Sequence, residues 1–188
     1  MKKKNILLIF ITVMLLCSVN VSAASQSKTR VNKAYTAYIK RNLSSSERYP
    51  YARYTLYDIN RDGTPEMFFE YMSGRRSGFK IYTYKNKKVV ELKSATGVSR
   101  IYYKGGKKQI CILSSAGFAD NTYTYYKLRN GKLKKVSQYK SKSSYSVSTG
   151  RRTVKFYKNG KRISQKTYTS NTNLDAVWGC IQCYKKVS

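Results

Sequence analysis

Histidine is absent from the 188-residue chain, and that gap excludes more chemistry than any residue present. Without an imidazole there is no Ser-His or Cys-His nucleophile pair, no histidine general base, and no histidine-ligated zinc, iron or copper centre. Acid is almost as scarce. Eight aspartates and glutamates stand against 38 lysines and arginines, a formal charge of +30, and there are only two prolines and one tryptophan. A chain so lopsided repels itself and draws anionic partners, with an attraction that salt weakens. Teichoic acid, acidic glycans, nucleic acid and acidic lipid surfaces all satisfy that charge. Lysines that merely solubilise a tyrosine-rich sheet would account for it too.

The length suggests one domain, and the first stretch stands apart from it. Lys2-Lys3-Lys4 form a basic start, Ile6 to Val19 an apolar run, and Val21-Ser22-Ala23 a small-residue cleavage pattern. Residues 1–23 therefore read as a secretory signal peptide, and the apolar run is short for a membrane span. Cys17 lies within it, but Met14-Leu15-Leu16 lacks the small residue that a lipidation site places before its cysteine. The expected product is secreted or attached to the cell envelope, with no membrane span after cleavage. It keeps 35 bases against 8 acids, a formal +27.

Three cysteines remain in that product: Cys111, Cys180 and Cys183. An exported chain can close one disulfide and leave one thiol over. Cys180-Ile181-Gln182-Cys183 has redox spacing, yet a redox pair opens a helix after a strand, and this one ends the chain. A structural bridge from Cys111 to one of the other two is the expectation.

Val31, Tyr35, Tyr38, Ile39 and Leu43 recur at the spacing of one helical face, so 26–43 is expected to be a helix. With its linker this segment occupies 24–50. From 51 onward short runs rich in Tyr, Val, Ile, Phe and Thr predict strands. They fall at 51–57, 66–72, 78–84, 88–93, 100–104, 109–114, 122–128, 132–139, 145–149, 153–157 and 162–168. Lys85-Asn86-Lys87, Gly105-Gly106, Asn130-Gly131 and Asn159-Gly160 separate successive runs with residues that tolerate positive φ, as hairpin turns require. Asn171 or Asn173 can cap a last helix with Leu174, Val177, Trp178, Ile181 and Lys185 on one face. The predicted architecture is α+β. An antiparallel meander of hairpins over 51–188 carries both helices on one face and forms one domain with 24–50.

Four of the eight acids, Asp58, Asp62, Glu66 and Glu70, fall within thirteen positions. A bound cation is the simplest reason for such crowding. Calcium takes six to eight hard oxygen ligands. Asp58, Asn60 and Asp62 alternate, so a curled loop can turn all three inward, and Gly63 permits the bend. The backbone carbonyl of Thr64 and the carboxylate of Glu66 would complete the shell. An Asx-rich turn without metal is the alternative. An EF-hand is excluded by Phe69 where its closing Glu should stand and by strand-like flanks.

The stretch resembles the nine-residue calcium loops of FG-GAP and integrin-α-type repeats, patterned D-x-[DN]-x-D-G-x-x-[DE]. Asp58, Asn60, Asp62, Gly63 and Glu66 fall on that pattern. It also resembles the DINGDGxPEL segment of small exported proteins of Gram-positive bacteria, in which a helix precedes the loop and tyrosine-rich hairpins follow. The resemblance is sharp over about twenty residues and general elsewhere. It implies a β-hairpin calcium site used for structure or adhesion, not for a reaction. Arg61, where Gly is common, places a positive charge beside the cation and weakens its binding.

No enzyme signature stands out. Ser114-Ser115-Ala116-Gly117 lacks a nucleophile-elbow pattern, and no spacing distinguishes one lysine as activated. The nineteen tyrosines, interleaved with bases, can offer stacking faces to nucleic acid or sugars. Most are better explained as core residues and cross-strand pairs. The expected function is a secreted, non-enzymatic calcium-binding protein whose basic surface holds anionic envelope or host polymers. Nucleic-acid binding, or an exported enzyme or toxin without a visible motif, are the alternatives.

Overall fold

The computed structural model describes residues 28–43, 51–73, 76–104, 107–116, 119–174, 179–181 and 185–186. The expected signal peptide, Trp178 and Cys183 lie outside the described residues.

Helix α1 (28–42) forms where the apolar spacing predicts it. Val31, Tyr35, Ile39 and Leu43, each one turn from the last, are buried, and each such burial stabilises by roughly 1.5–3 kcal/mol. Their partners belong to a sheet ordered β12-β1-β2-β3-β4. Its strands are β1 (Arg53–Tyr57), β2 (Glu66–Ser73), β3 (Arg76–Lys85), β4 (Lys88–Thr96) and β12 (Lys185–Lys186). Side chains alternate across a strand, so Met67, Phe69, Tyr71 and Tyr82 meet α1, while Phe68, Phe79 and Ile81 face the opposite way.

A second sheet is ordered β10-β9-β8-β7-β6-β5-β11. It comprises β5 (Val98–Lys104), β6 (Gln109–Ser115), β7 (Asn121–Arg129), β8 (Lys132–Ser146), β9 (Arg151–Lys158), β10 (Lys161–Ile163) and β11 (Gly179–Cys180). Ile101, Tyr103, Ile110, Ile112 and Leu128 of this sheet pack against the inward residues of the first, with Ile59 and Ile181, as one core. Tyr102, Cys111, Tyr125 and Tyr139 point outward and are covered by Tyr168 of helix α2 (Gln165–Thr172) and by Leu174. The layers therefore run helix, sheet, sheet, helix.

This corrects the expectation of one sheet with both helices on one face. Consecutive hairpins do build each sheet, but the chain divides them at Gly97. There a positive φ of 67° lets β4 turn directly into β5, and the Gly97 amide donates to the Ser77 carbonyl at 2.9 Å. A bend of this kind is how a strand passes from one packed sheet to another. The turns at Asn86-Lys87, Asn130-Gly131 and Asn159-Gly160 all have positive φ at both residues, as type I′ hairpins demand.

The C-terminal third departs further. The run expected at 162–168 extends only to Ile163, because Ser164 caps α2: its side chain accepts from the Thr167 amide at 3.1 Å. The helix thus ends where a helix was expected to begin. Gly179–Cys180 and Lys185–Lys186 instead pair antiparallel with β5 and β1. Apolar spacing alone does not separate a short buried strand from a helical face. The 145–149 run is likewise no separate strand, since β8 is a single 15-residue strand reaching Ser146.

Cys111 is a free, buried thiol, not half of a bridge. Cys180 pairs with Tyr102, which pairs with Cys111, so the two cysteines are two strands apart. That is about 9.5 Å in the sheet, beyond the Cα separation of roughly 7 Å that a disulfide tolerates. Burial pushes the Cys111 thiol up to about 12.

Candidate functional site

Two features carry the chemistry: the acidic loop between β1 and β2, and the basic ribbon formed by β8, β9 and β10. In the loop, Ile59 is the inward anchor, 0% exposed in the inter-sheet core. Its neighbours Asp58, Asn60 and Asp62 accept the loop's own amides. Asp58 takes the amides of Asp62 and Gly63 at 3.2 and 2.8 Å, and Asn60 takes the Asp62 amide at 3.3 Å. Asp62 takes the Thr64 amide at 2.8 Å and the Asn60 side-chain amide at 2.6 Å. Arg61 and Gly63 sit at φ 56° and 88° to close the curl.

Glu66 behaves differently. It is 1% exposed and turned beneath the loop, accepting the Ile59 amide at 3.0 Å and the Thr83 hydroxyl at 3.1 Å. Burial, opposed by those two hydrogen bonds and assisted by nearby Asp62 and Asp58, raises its carboxyl to about 8. The loop is also tied to α1, because the Tyr35 hydroxyl donates to the Pro65 carbonyl at 2.9 Å. Among the described residues no three His, Cys, Asp or Glu side chains form a metal-sized cluster. The loop's oxygens still suit a hard cation, since a carboxylate or amide oxygen that accepts one N–H keeps further lone pairs. Glu66 and Glu70 share one face of β2 but stand four residues apart, about 13 Å along a strand. The carboxylate pairs of glycosidases are closer.

The ribbon was not evident as a unit in the sequence. Residues 132–163 hold eleven lysines and arginines and no acidic residue, and all eleven are exposed except half-buried Lys140. Register sets like charges directly opposite one another: Lys142 faces Lys155, and Lys158 faces Lys161. Such opposed pairs cost stability in a bare sheet. Asp120 supplies nearby acid, close to Arg152 and Lys140. Its carboxyl is lowered mainly by hydrogen bonds from Ser143 and also by these bases. The alternating bases of Lys140-Ser-Lys142 were the legible signal.

Many of the tyrosines interleaved with bases serve the sheets themselves. Lys158 lies 5.6 Å from the Tyr139 ring, Arg162 5.8 Å from Tyr157 and Lys185 5.8 Å from Tyr54, each pair being cross-strand partners. Among the described residues no helix is long and apolar enough to cross a membrane. No family model matches the chain, and neither does any curated protein or solved structure.

Proposed function

We propose that the protein is an exported, non-enzymatic module that binds anionic polymers of an envelope or host surface, with its Asp58–Glu66 loop steadied by calcium. The β8–β10 ribbon carries the reading. Eleven bases without one acid, two pairs of them directly opposed, are a local cost that a polyanion would offset. Affinity for a teichoic acid or an acidic glycan is expected to fall at least about tenfold between roughly 50 and 200 mM salt. Retention on polymer-coated beads across a salt series measures this, and salt-independent retention refutes an electrostatic site.

For the loop, the ligands are the side chains of Asp58, Asn60 and Asp62 with the Thr64 carbonyl, while Glu66 stays beneath them on the Ile59 amide and the Thr83 hydroxyl. Calcium at about 1 mM is expected to raise Tm by roughly 3–6 °C, given a site filled to about ten times its Kd. Asp58→Ala or Asp62→Ala removes the gain. A Tm indifferent to calcium leaves the loop as an Asx-rich turn.

A further inference from the structure

From the inward-facing surface of the ribbon we infer that the cleft around Tyr157 is a subsite for one hydroxylated, acidic unit of a glycan. The inference rests on the polyanion reading and narrows it to a place and a ligand chemistry. β9 and β10 contribute no described residue to the inter-sheet core. On the same side of the seven-stranded sheet as that core, the ribbon carries a cavity of about 250 Å³ lined by Gln138, Lys140, Lys142, Tyr157, Asn159 and Gly160. That is slightly below the range of drug-sized pockets. It suits a single ring with its charged substituent.

The cleft is held in shape before any ligand arrives. Asn159 donates its amide to the Gln138 carbonyl at 2.9 Å, and its side-chain oxygen accepts the Gln138 amide at 2.8 Å. The Gln138 side chain donates to Thr124 at 3.2 Å. These bonds extend the β8–β9 ladder into the following turn and fix the floor. Lys140 sits opposite Tyr157, and Lys142 lies two residues further along the same face, about 7 Å away. Two ammonium groups at that spacing can bracket one acid group or meet two successive ones. Asp120 lies near Lys140 but is engaged by Ser143, and Lys142 faces another base.

The remaining polar groups choose the ligand class. Single-stranded nucleic acid binds by stacking bases on open aromatic faces. The Tyr157 ring already carries the Arg162 guanidinium at 5.8 Å. What lines the cavity beside the lysines is the side-chain amides of Gln138 and Asn159 and a phenol, groups that exchange hydrogen bonds with hydroxyls. A hydroxylated ring bearing carboxylate, sulfate or phosphate satisfies both sets.

The test titrates the protein with polygalacturonate, dextran sulfate, a phosphomannan and an oligothymidylate at one near-physiological salt concentration. Lys140→Gln/Lys142→Gln is compared with Lys33→Gln/Lys87→Gln, which removes equal charge from exposed positions elsewhere. The cleft double variant is expected to lose at least about tenfold for one of the glycans, against less than about twofold for the control, since two charge-assisted contacts are lost. The three polymers distinguish carboxylate, sulfate and phosphate as the acid group. Tyr157→Ala should show a similar loss. If it unfolds by circular dichroism, the lysine variants alone decide. Equal losses in both double variants overturn the subsite while leaving general polyanion binding intact. Oligothymidylate binding that is tighter and falls with the cleft variants overturns the glycan assignment. No binding to any polymer removes both readings.

Discussion

Glu66→Gln is expected to stabilise the protein above pH 8 and to flatten its stability between about pH 5 and 8. The carboxyl titrates near 8 in the folded chain against an ordinary value of 4.5. Between those values the folded state holds one more proton than the unfolded state, so acidification favours folding across that window. The contribution is complete below about 4.5 and is lost as pH rises through 8, where a buried charge must be carried. With roughly 1.4 kcal/mol for each pH unit between 4.5 and about 8, the full swing is on the order of 5 kcal/mol.

Glutamine keeps the arrangement without the charge. Its carbonyl can accept from Ile59 and its amide can donate to Thr83, the two partners Glu66 has now. Denaturant unfolding at several pH values, wild type against variant, measures the difference. The subtraction also removes the charge repulsion that grows on acidification. Parallel curves for the two proteins refute a neutral Glu66. Glu66→Ala is expected to lose stability at every pH, because it leaves the Ile59 amide buried without its acceptor.

Tyr35→Ala should cost about 3–5 kcal/mol, the range for deleting a buried aromatic ring. Tyr35 is 1% exposed and centres the α1 face that covers Met67, Phe69, Tyr71 and Tyr82. Its hydroxyl meets the Pro65 carbonyl at 2.9 Å and the Tyr82 carbonyl at 3.4 Å. Tyr35→Phe keeps the ring and removes only the donor, for a cost nearer 1–2 kcal/mol. Hydrogen exchange separates the effects. In Tyr35→Phe the amides of Asp62, Gly63 and Thr64 should exchange faster, because the loop loses its tie to α1, while most of the second sheet keeps its protection. An alanine cost below about 1 kcal/mol would mean that α1 is only loosely docked.

The parts legible in the sequence are those governed by neighbours in the chain. The α1 face at Val31, Tyr35, Ile39 and Leu43 is a one-turn repeat. The Asn130-Gly131 and Asn159-Gly160 turns need positive φ that few residues supply. The inward curl of Asp58, Asn60 and Asp62 follows from Asx side chains that reach amides two to five residues on. α2 was hidden because Gln165–Thr172 buries only Tyr168 and Thr172, leaving almost no periodic signal. Its Ser164 cap is a local cue, but the tyrosine-rich outer sheet face is what holds it.

Composition and spacing alone determined a basic, strand-rich chain with an N-terminal helix, hairpin turns and a curled acidic loop, since each depends on contacts within a few residues. Only the tertiary structure decided that the hairpins divide into two packed sheets at Gly97, that the chain's end returns as strands beside β5 and β1, and that Glu66 lies under the loop rather than at its mouth. It also decided that Lys140, Lys142 and Tyr157 share one cleft. Those outcomes depend on which surfaces bury each other and on strand register, and both are set by partners distant in the chain.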